Sequence, residues 1–178
     1  DTDSQSFAGV FAPLFGADGP LDADGTPGED ADAVAYTLGV KSAGVASGLV
    51  ATVSGDNILL RLNTTTDEVE GYLENDTSTL AFKVEVDADT GVVKLTQYLA
   101  VVHEDATDPV EAYNATPAEN AAETLAAADL ITLTATVTDG DNDTASKTAN
   151  IGRPAEPPGS PSSELRPMAS PVTSSWRR

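Results

Sequence analysis

The chain has 178 residues, with 29 Asp and Glu against nine Lys and Arg, a formal net charge of −20. A polyanion has no general electrostatic affinity for nucleic acid or anionic membrane; it favours cations, basic partners or plain solubility. No cysteine is present, which removes thiolate catalysis, zinc–thiolate sites and disulfides, so a small secreted β domain needs another staple, such as bound metal.

Aromatic residues are few: four Phe, four Tyr and Trp176. Abundant Thr, Val and Ala suit a thin, many-stranded β module better than a large enzyme core. No apolar run approaches membrane-spanning length, and no signal peptide is visible. The chain starts at Asp1, which reads as a piece of something longer or a processed form.

Residues 1–32 read as an acidic Gly/Asp/Pro-rich linker. It carries a small apolar cluster (Phe7, Val10, Phe11, Leu14 and Phe15) able to pack on the domain behind it. Pro13 and the flanking glycines limit any helix there to a turn or two. From 33 to 152 the pattern is strand, turn, strand. "AVAYTLGV", "GLVATVSG" and "DNILLRLN" come first, with Ser54-Gly55-Asp56-Asn57 as a hairpin signal. "EVEGYLE" and "TLAFKVEV" follow, and "DADTG" (87–91) turns into "VVKLTQYLAVV".

In "TLAFKVEV" the spacing puts Leu80, Phe82, Val84 and Val86 on one face and Lys83 and Glu85 on the other, a half-buried antiparallel strand. "DLITLTATVT" repeats it, with Ile131, Leu133, Ala135 and Val137 on one face and threonines on the other. "ASKTANI" sets Lys147 among Ala145, Ala149 and Ile151, as in an edge strand guarded by a lysine. Between 104 and 129 the composition turns Ala/Glu-rich. A short helix over 117–128, capped by Thr116 with Pro117 at its first position, competes with a long loop. The predicted fold is all-β: an immunoglobulin-like antiparallel β-sandwich with Greek-key connections, spanning 33–152.

After Gly152 the sequence changes character. Residues 153–178 hold six of the eleven prolines, four arginines and two glutamates, and cannot build a core. This Pro/Ser/Arg-rich tail is read as disordered and foreign to the acidic body, for which a shifted reading frame is one hypothesis. Sequencing the gene past codon 152 tests it, by whether an acidic β pattern continues in another frame. Residues 1–152 alone carry five Lys and Arg against 27 Asp and Glu, a net of −22.

The acidic turn Asp139-Gly140-Asp141-Asn142-Asp143 spaces its carboxylates two residues apart, about 6–7 Å in extended backbone. It reads as a solvated hairpin tip, a cation site or a catalytic cluster. Partly buried, such a cluster needs a cation, and calcium is bound by oxygen donors of this kind. It is not an EF-hand loop: counting from Asp139, Thr144 stands where Gly belongs and Asn150 where Glu belongs. A second acidic cluster, Asp18, Asp22, Asp24, Glu29, Asp30 and Asp32, reads as a charged linker or as calcium ligands where modules join. Asp87-Ala88-Asp89-Thr90-Gly91 reads as a hairpin turn. His103, the single histidine, lies beside Glu104 and Asp105 and reads as structural. No Gly-x-Ser-x-Gly, HExxH or P-loop is present, and the chain is read as not an enzyme. Four Asn-x-Thr sequons, at Asn63, Asn75, Asn114 and Asn142, are short enough to arise by chance.

Two stretches, "LTQYLAVVHEDATDP" (95–109) and "LTATVTDGDNDTA" (133–145), resemble the tandem repeat domain of giant type I-secreted bacterial adhesins, the RTX-adhesin class. The resemblance covers roughly 7–152; the family commonly has a second glycine where this chain has Asn142, a residue that tolerates left-handed backbone. The resemblance implies an extracellular or cell-surface β-sandwich repeat stiffened by calcium, supporting adhesion or biofilm formation. It implies neighbouring repeats of the same chain as partners, and surface glycans or proteins as targets, with no nucleic acid and no membrane insertion. The calcium ligands expected are Asp139, Asp141 and Asp143, with Asp22 and Asp24 of the second cluster beside them. The competing reading is a carbohydrate- or ligand-binding β-sandwich module, with Tyr72, Tyr98 and Tyr113 as its plausible stacking residues.

Overall fold

The structure is a computed structural model that describes residues 1–22, 33–103 and 123–152. The described residues form nine strands: β1 (Thr2–Ser6), β2 (Val34–Val40), β3 (Val45–Val50), β4 (Asn57–Asn63), β5 (Glu68–Leu73), β6 (Asp76–Val86), β7 (Val92–Gln97), β8 (Ile131–Thr138) and β9 (Thr144–Asn150). They build a six-stranded sheet, ordered β1-β7-β6-β5-β4-β3, and a three-stranded sheet, ordered β2-β8-β9. Every pairing is antiparallel. The all-β sandwich predicted from alternation is the fold of the chain. β1 pairs with β7 and β2 with β8, so the connections cross between layers and do not run as one meander. Among the described residues no helix is long and apolar enough to cross a membrane.

The core forms where the alternating apolar faces meet. Val34, Tyr36 and Leu38 of β2 and Ile131, Leu133 and Ala135 of β8 are buried. Opposite them stand Ile58 and Leu60 of β4, Val69 and Leu73 of β5, Phe82 and Val84 of β6, and Val93 of β7. Each of the larger side chains contributes about 1.5–3 kcal/mol by leaving water. Most of the N-terminal apolar cluster packs here too: Phe7 and Phe11 are buried, Val10 and Phe15 are partly buried against them, and Phe11 meets the Tyr36 ring edge-on at 5.8 Å, whereas Leu14, expected to join them, is exposed.

Several local expectations are corrected. Residues 2–6, read as part of a linker, form the edge strand β1, because their backbone finds the open side of β7. β3 starts at Val45, not near Gly48, and its pairing slips between Ala46 and Val50. In β6 the alternation breaks at Ala81. Gly71 pairs with Phe82 and Tyr72 with Leu80, so Ala81 is an extra, fully buried residue. Its carbonyl accepts the N–H groups of Tyr98 and Leu99, which ends β7 at Gln97 and breaks the run predicted over 92–102. Gly71 makes room for this packing, since a Cβ there would lie 2.3 Å from the Phe82 ring. The first half of the helix or loop predicted over 117–128 lies outside the described residues. Its described end, 123–127, is not helical, and a single 3-10 turn follows at Ala128–Leu130.

The two outer faces differ in chemistry. On the six-stranded sheet, Arg61 pairs with Glu70 (2.6 Å), Lys83 with Glu68 and Glu85 (3.0 Å each) and Lys94 with Glu85 (3.2 Å). Asn63 also donates to the buried Glu70. Hydrogen bonds from Asn63 and Arg61, with the nearby positive charges, hold the Glu70 carboxyl below the usual range even though burial acts the other way. On the three-stranded sheet the threonines of β8 face the hydroxyls of β9, with Thr134–Thr148 at 2.8 Å and Thr136–Ser146 at 2.9 Å. β9 is an edge strand with Lys147 exposed on it, as its sequence predicts.

Candidate metal centre

The centre is built at the β8–β9 turn. β8 ends at Thr138, and Asp139–Asp143 reverse the chain. The turn closes on itself: Asp139 N–H donates to Asp143 O (3.0 Å) and Asn142 N–H to Asp139 O (3.0 Å). Asp143 N–H donates to the Asp139 carboxylate (2.9 Å). Asn142 takes the left-handed conformation (φ 70°), so the asparagine serves where a glycine is otherwise favoured.

A second segment runs alongside. Pro20 bridges Asp139, Leu21 N–H donates to Thr138 O, and Gly140 N–H donates to Gly19 O. Gly140 permits this approach, because a Cβ there would lie 2.7 Å from the Asp18 carbonyl oxygen. The result is a cluster no local motif contains. One carboxylate oxygen from each of Asp18, Asp139 and Asp141 lies within 4.8 Å of the others; Asp139 is half-buried and the other two are exposed.

Of the ligands expected from the sequence, the structure brings together Asp139 and Asp141. Asp143 contributes its backbone N–H to Asp139 and stands outside the cluster of three. Asp22 is exposed and also outside it, and Asp24 lies outside the described residues. Asp18, which belongs to the second acidic cluster but not to the expected ligand set, takes the third place. The available signal was Asp18-Gly19-Pro20, a carboxylate followed by turn residues able to bring backbone close to another segment.

The two carboxylates of the turn share charge unequally. A hydrogen bond with Asp139, then the negative charges of Asp139, Asp143 and Asp18, push the Asp141 carboxyl up from its ordinary value. The same hydrogen bond holds Asp139 down. Of this hydrogen-bonded pair, Asp141 is therefore the partner more readily protonated. All the donors are oxygens, which suits hard cations such as calcium or magnesium and not soft thiophilic metals. Three carboxylates supply at most about six of the roughly six to eight oxygens calcium takes, leaving carbonyl or water oxygens to complete the shell.

The other acidic turns are satisfied locally. Asp87 accepts the N–H groups of Asp89 and Thr90. Asp76 accepts from the Ser78 N–H and hydroxyl and from the Thr79 hydroxyl. His103 is buried. Tyr72 is buried beneath the Arg61 guanidinium, 4.5 Å from the ring centre, and Tyr98 is half-exposed. Tyr113 lies outside the described residues.

A family model with the description "Domain of unknown function (DUF5801)" matches residues 1–152. No curated protein and no solved structure matches the chain.

Proposed function

Since the chain belongs to that family, whose description assigns no activity, we propose its function from the geometry: a calcium-stiffened structural repeat of an extracellular bacterial surface adhesin. The observation that carries this reading is the meeting of Asp18, from the N-terminal segment, with Asp139 and Asp141 of the β8–β9 turn. Two chain segments far apart in sequence bring three carboxylate oxygens within 4.8 Å of one another, a donor set that suits a hard cation. The likeness of 95–109 and 133–145 to RTX-adhesin repeats supports the extracellular setting. In low cytosolic calcium the acidic body stays loosely held and fit for export; outside, calcium closes the corner.

Extracellular modules bind calcium with dissociation constants of about 10⁻⁴–10⁻³ M. At ten times that constant one site adds about 1.4 kcal/mol of stability. The test is a thermal melt of the full chain in millimolar calcium and then in chelator. The midpoint rises with calcium in the native chain and not in Asp18→Asn or Asp139→Asn. A native midpoint indifferent to chelator sinks the reading. Of the stacking residues the carbohydrate-binding reading relies on, Tyr72 is covered by Arg61 and Tyr98 is half-exposed.

A further inference from the structure

We infer that the open edge of β9 accepts β1 of a second copy of this chain, joining two sandwiches by strand addition. Among the described strands, β9 pairs with β8 alone and β1 with β7 alone. Each therefore presents one row of backbone donors and acceptors outward, with the Ser4 N–H of β1 turned to the Asp3 carboxylate. The β3 edge is different. Segments 100–102 and 126 cover it, through Val102 N–H to Val50 O, Thr52 N–H to Ala100 O and Ala126 N–H to Ser47 O. In β9 every residue but Ala149 is exposed, and in β1 every residue but Gln5.

Charge selects which edges meet. Lys41, Arg61, Lys83 and Lys94 all hold ion pairs; among the described residues, Lys147 is the basic side chain without one. On β1, Asp3 accepts only the neighbouring Ser4 N–H and has no cation beside it. Two β9 edges meeting antiparallel about their middle residue set Lys147 against Lys147. Two β1 edges bring only negative charge. β9 against β1 of another copy pairs the unlike charges, the arrangement that cross-strand neighbours favour.

The register then follows. With Lys147 opposite Asp3 in an antiparallel pair, Thr148 faces Thr2, Ser146 faces Ser4, Thr144 faces Ser6 and Ala145 faces Gln5. Three of the five pairs join hydroxyls, repeating the Thr134–Thr148 and Thr136–Ser146 pattern already present between β8 and β9. A hydroxyl both donates and accepts, so those of β9 serve both neighbours. Because the two edges are different surfaces, each added copy leaves one of each free. The contact is head-to-tail and propagates.

This inference needs no cation and is tested in chelator, apart from the calcium reading. Sedimentation velocity of the full chain over a concentration series, at about 0.15 M salt to screen the net charge, gives the association. The native chain shows concentration-dependent association. Asp3→Lys and Lys147→Asp each weaken it about fivefold or more. A one-to-one mixture of the two variants restores it, because every β9–β1 contact between the variants again pairs unlike charges. Both positions are exposed, so melting midpoints near the native value verify the fold, with Asp3→Asn and Lys147→Gln as a milder pair. A native chain that stays monomeric throughout overturns the inference, as does association that neither substitution changes.

Discussion

Two turns with nearly the same acidic lettering reach different ends. Asp87-Ala88-Asp89 and Asp139-Gly140-Asp141 both follow a strand and both open a hairpin. In the first, Asp87 accepts the Asp89 and Thr90 N–H groups, and Ala88 O accepts the Tyr36 N–H (2.8 Å) from β2. Its acidity is strengthened by hydrogen bonds from Thr90 and then from the Asp89 backbone. In the second, Gly140 stands where the first has Ala88, and the missing Cβ admits the Asp18 backbone. Carboxylate spacing alone thus produces a self-capped turn; a third carboxylate delivered from elsewhere in the chain turns it into a cluster.

The largest expected effect comes from closing that gap. Gly140→Val drives a side chain into the Asp18 carbonyl and costs about 1–3 kcal/mol, typical of overpacking. It also removes the calcium response, because Asp18 is pushed away. Chemical denaturation with and without calcium reads both. The substitution leaves the comparison standing only if stability and calcium response fall together.

Next in size is the pH response, measured without calcium between about pH 3 and 7. The folded chain holds the Asp141 proton more tightly than the unfolded chain does. That contribution is present in acid and is lost as pH rises through the raised value. Asp141→Asn therefore raises stability at neutral pH in chelator and abolishes the gain from calcium. For Asp87 the sign reverses: its lowered value stabilises the fold above the unfolded value and is lost as pH falls. Melts of the two Asp→Asn variants, compared across that range, check the opposite slopes.

The smallest effect is expected from Asp87→Ala. It frees the Asp89 and Thr90 N–H groups to an exposed turn where water replaces the carboxylate. The midpoint falls by a few degrees and the calcium response is unchanged. A lost response would show that the two turns are coupled and that their contrast is misread.

Alternation made most of the strands legible. Leu133, Ala135 and Ile131 are buried where period two places them, and Lys147 marks an edge strand as expected. The misses lie where a long-range contact overrides local pattern. The Ala81 bulge depends on Phe82 lying over Gly71 of a neighbouring strand, and β1 looks like linker until β7 supplies a partner. Asp18 was hidden for the same reason. Its neighbours in sequence are Ala17, Gly19 and Pro20, whereas its acidic neighbours in space are set by the Pro20–Asp139 bridge.

The pairing of β1 with β7 and β2 with β8 also governs when this chain can fold. Asp1 donates to the Gln97 carbonyl, 96 residues away, and β2 waits for β8 at residues 131–138. A domain with such high contact order folds slowly, because long loops must close before those contacts reward them. A ribosome delivers β1 and β2 first; β1 stays unpaired until β7 emerges, and β2 until β8 does. The six-stranded sheet can therefore close before the three-stranded one, and the sandwich is complete only once its far end is free.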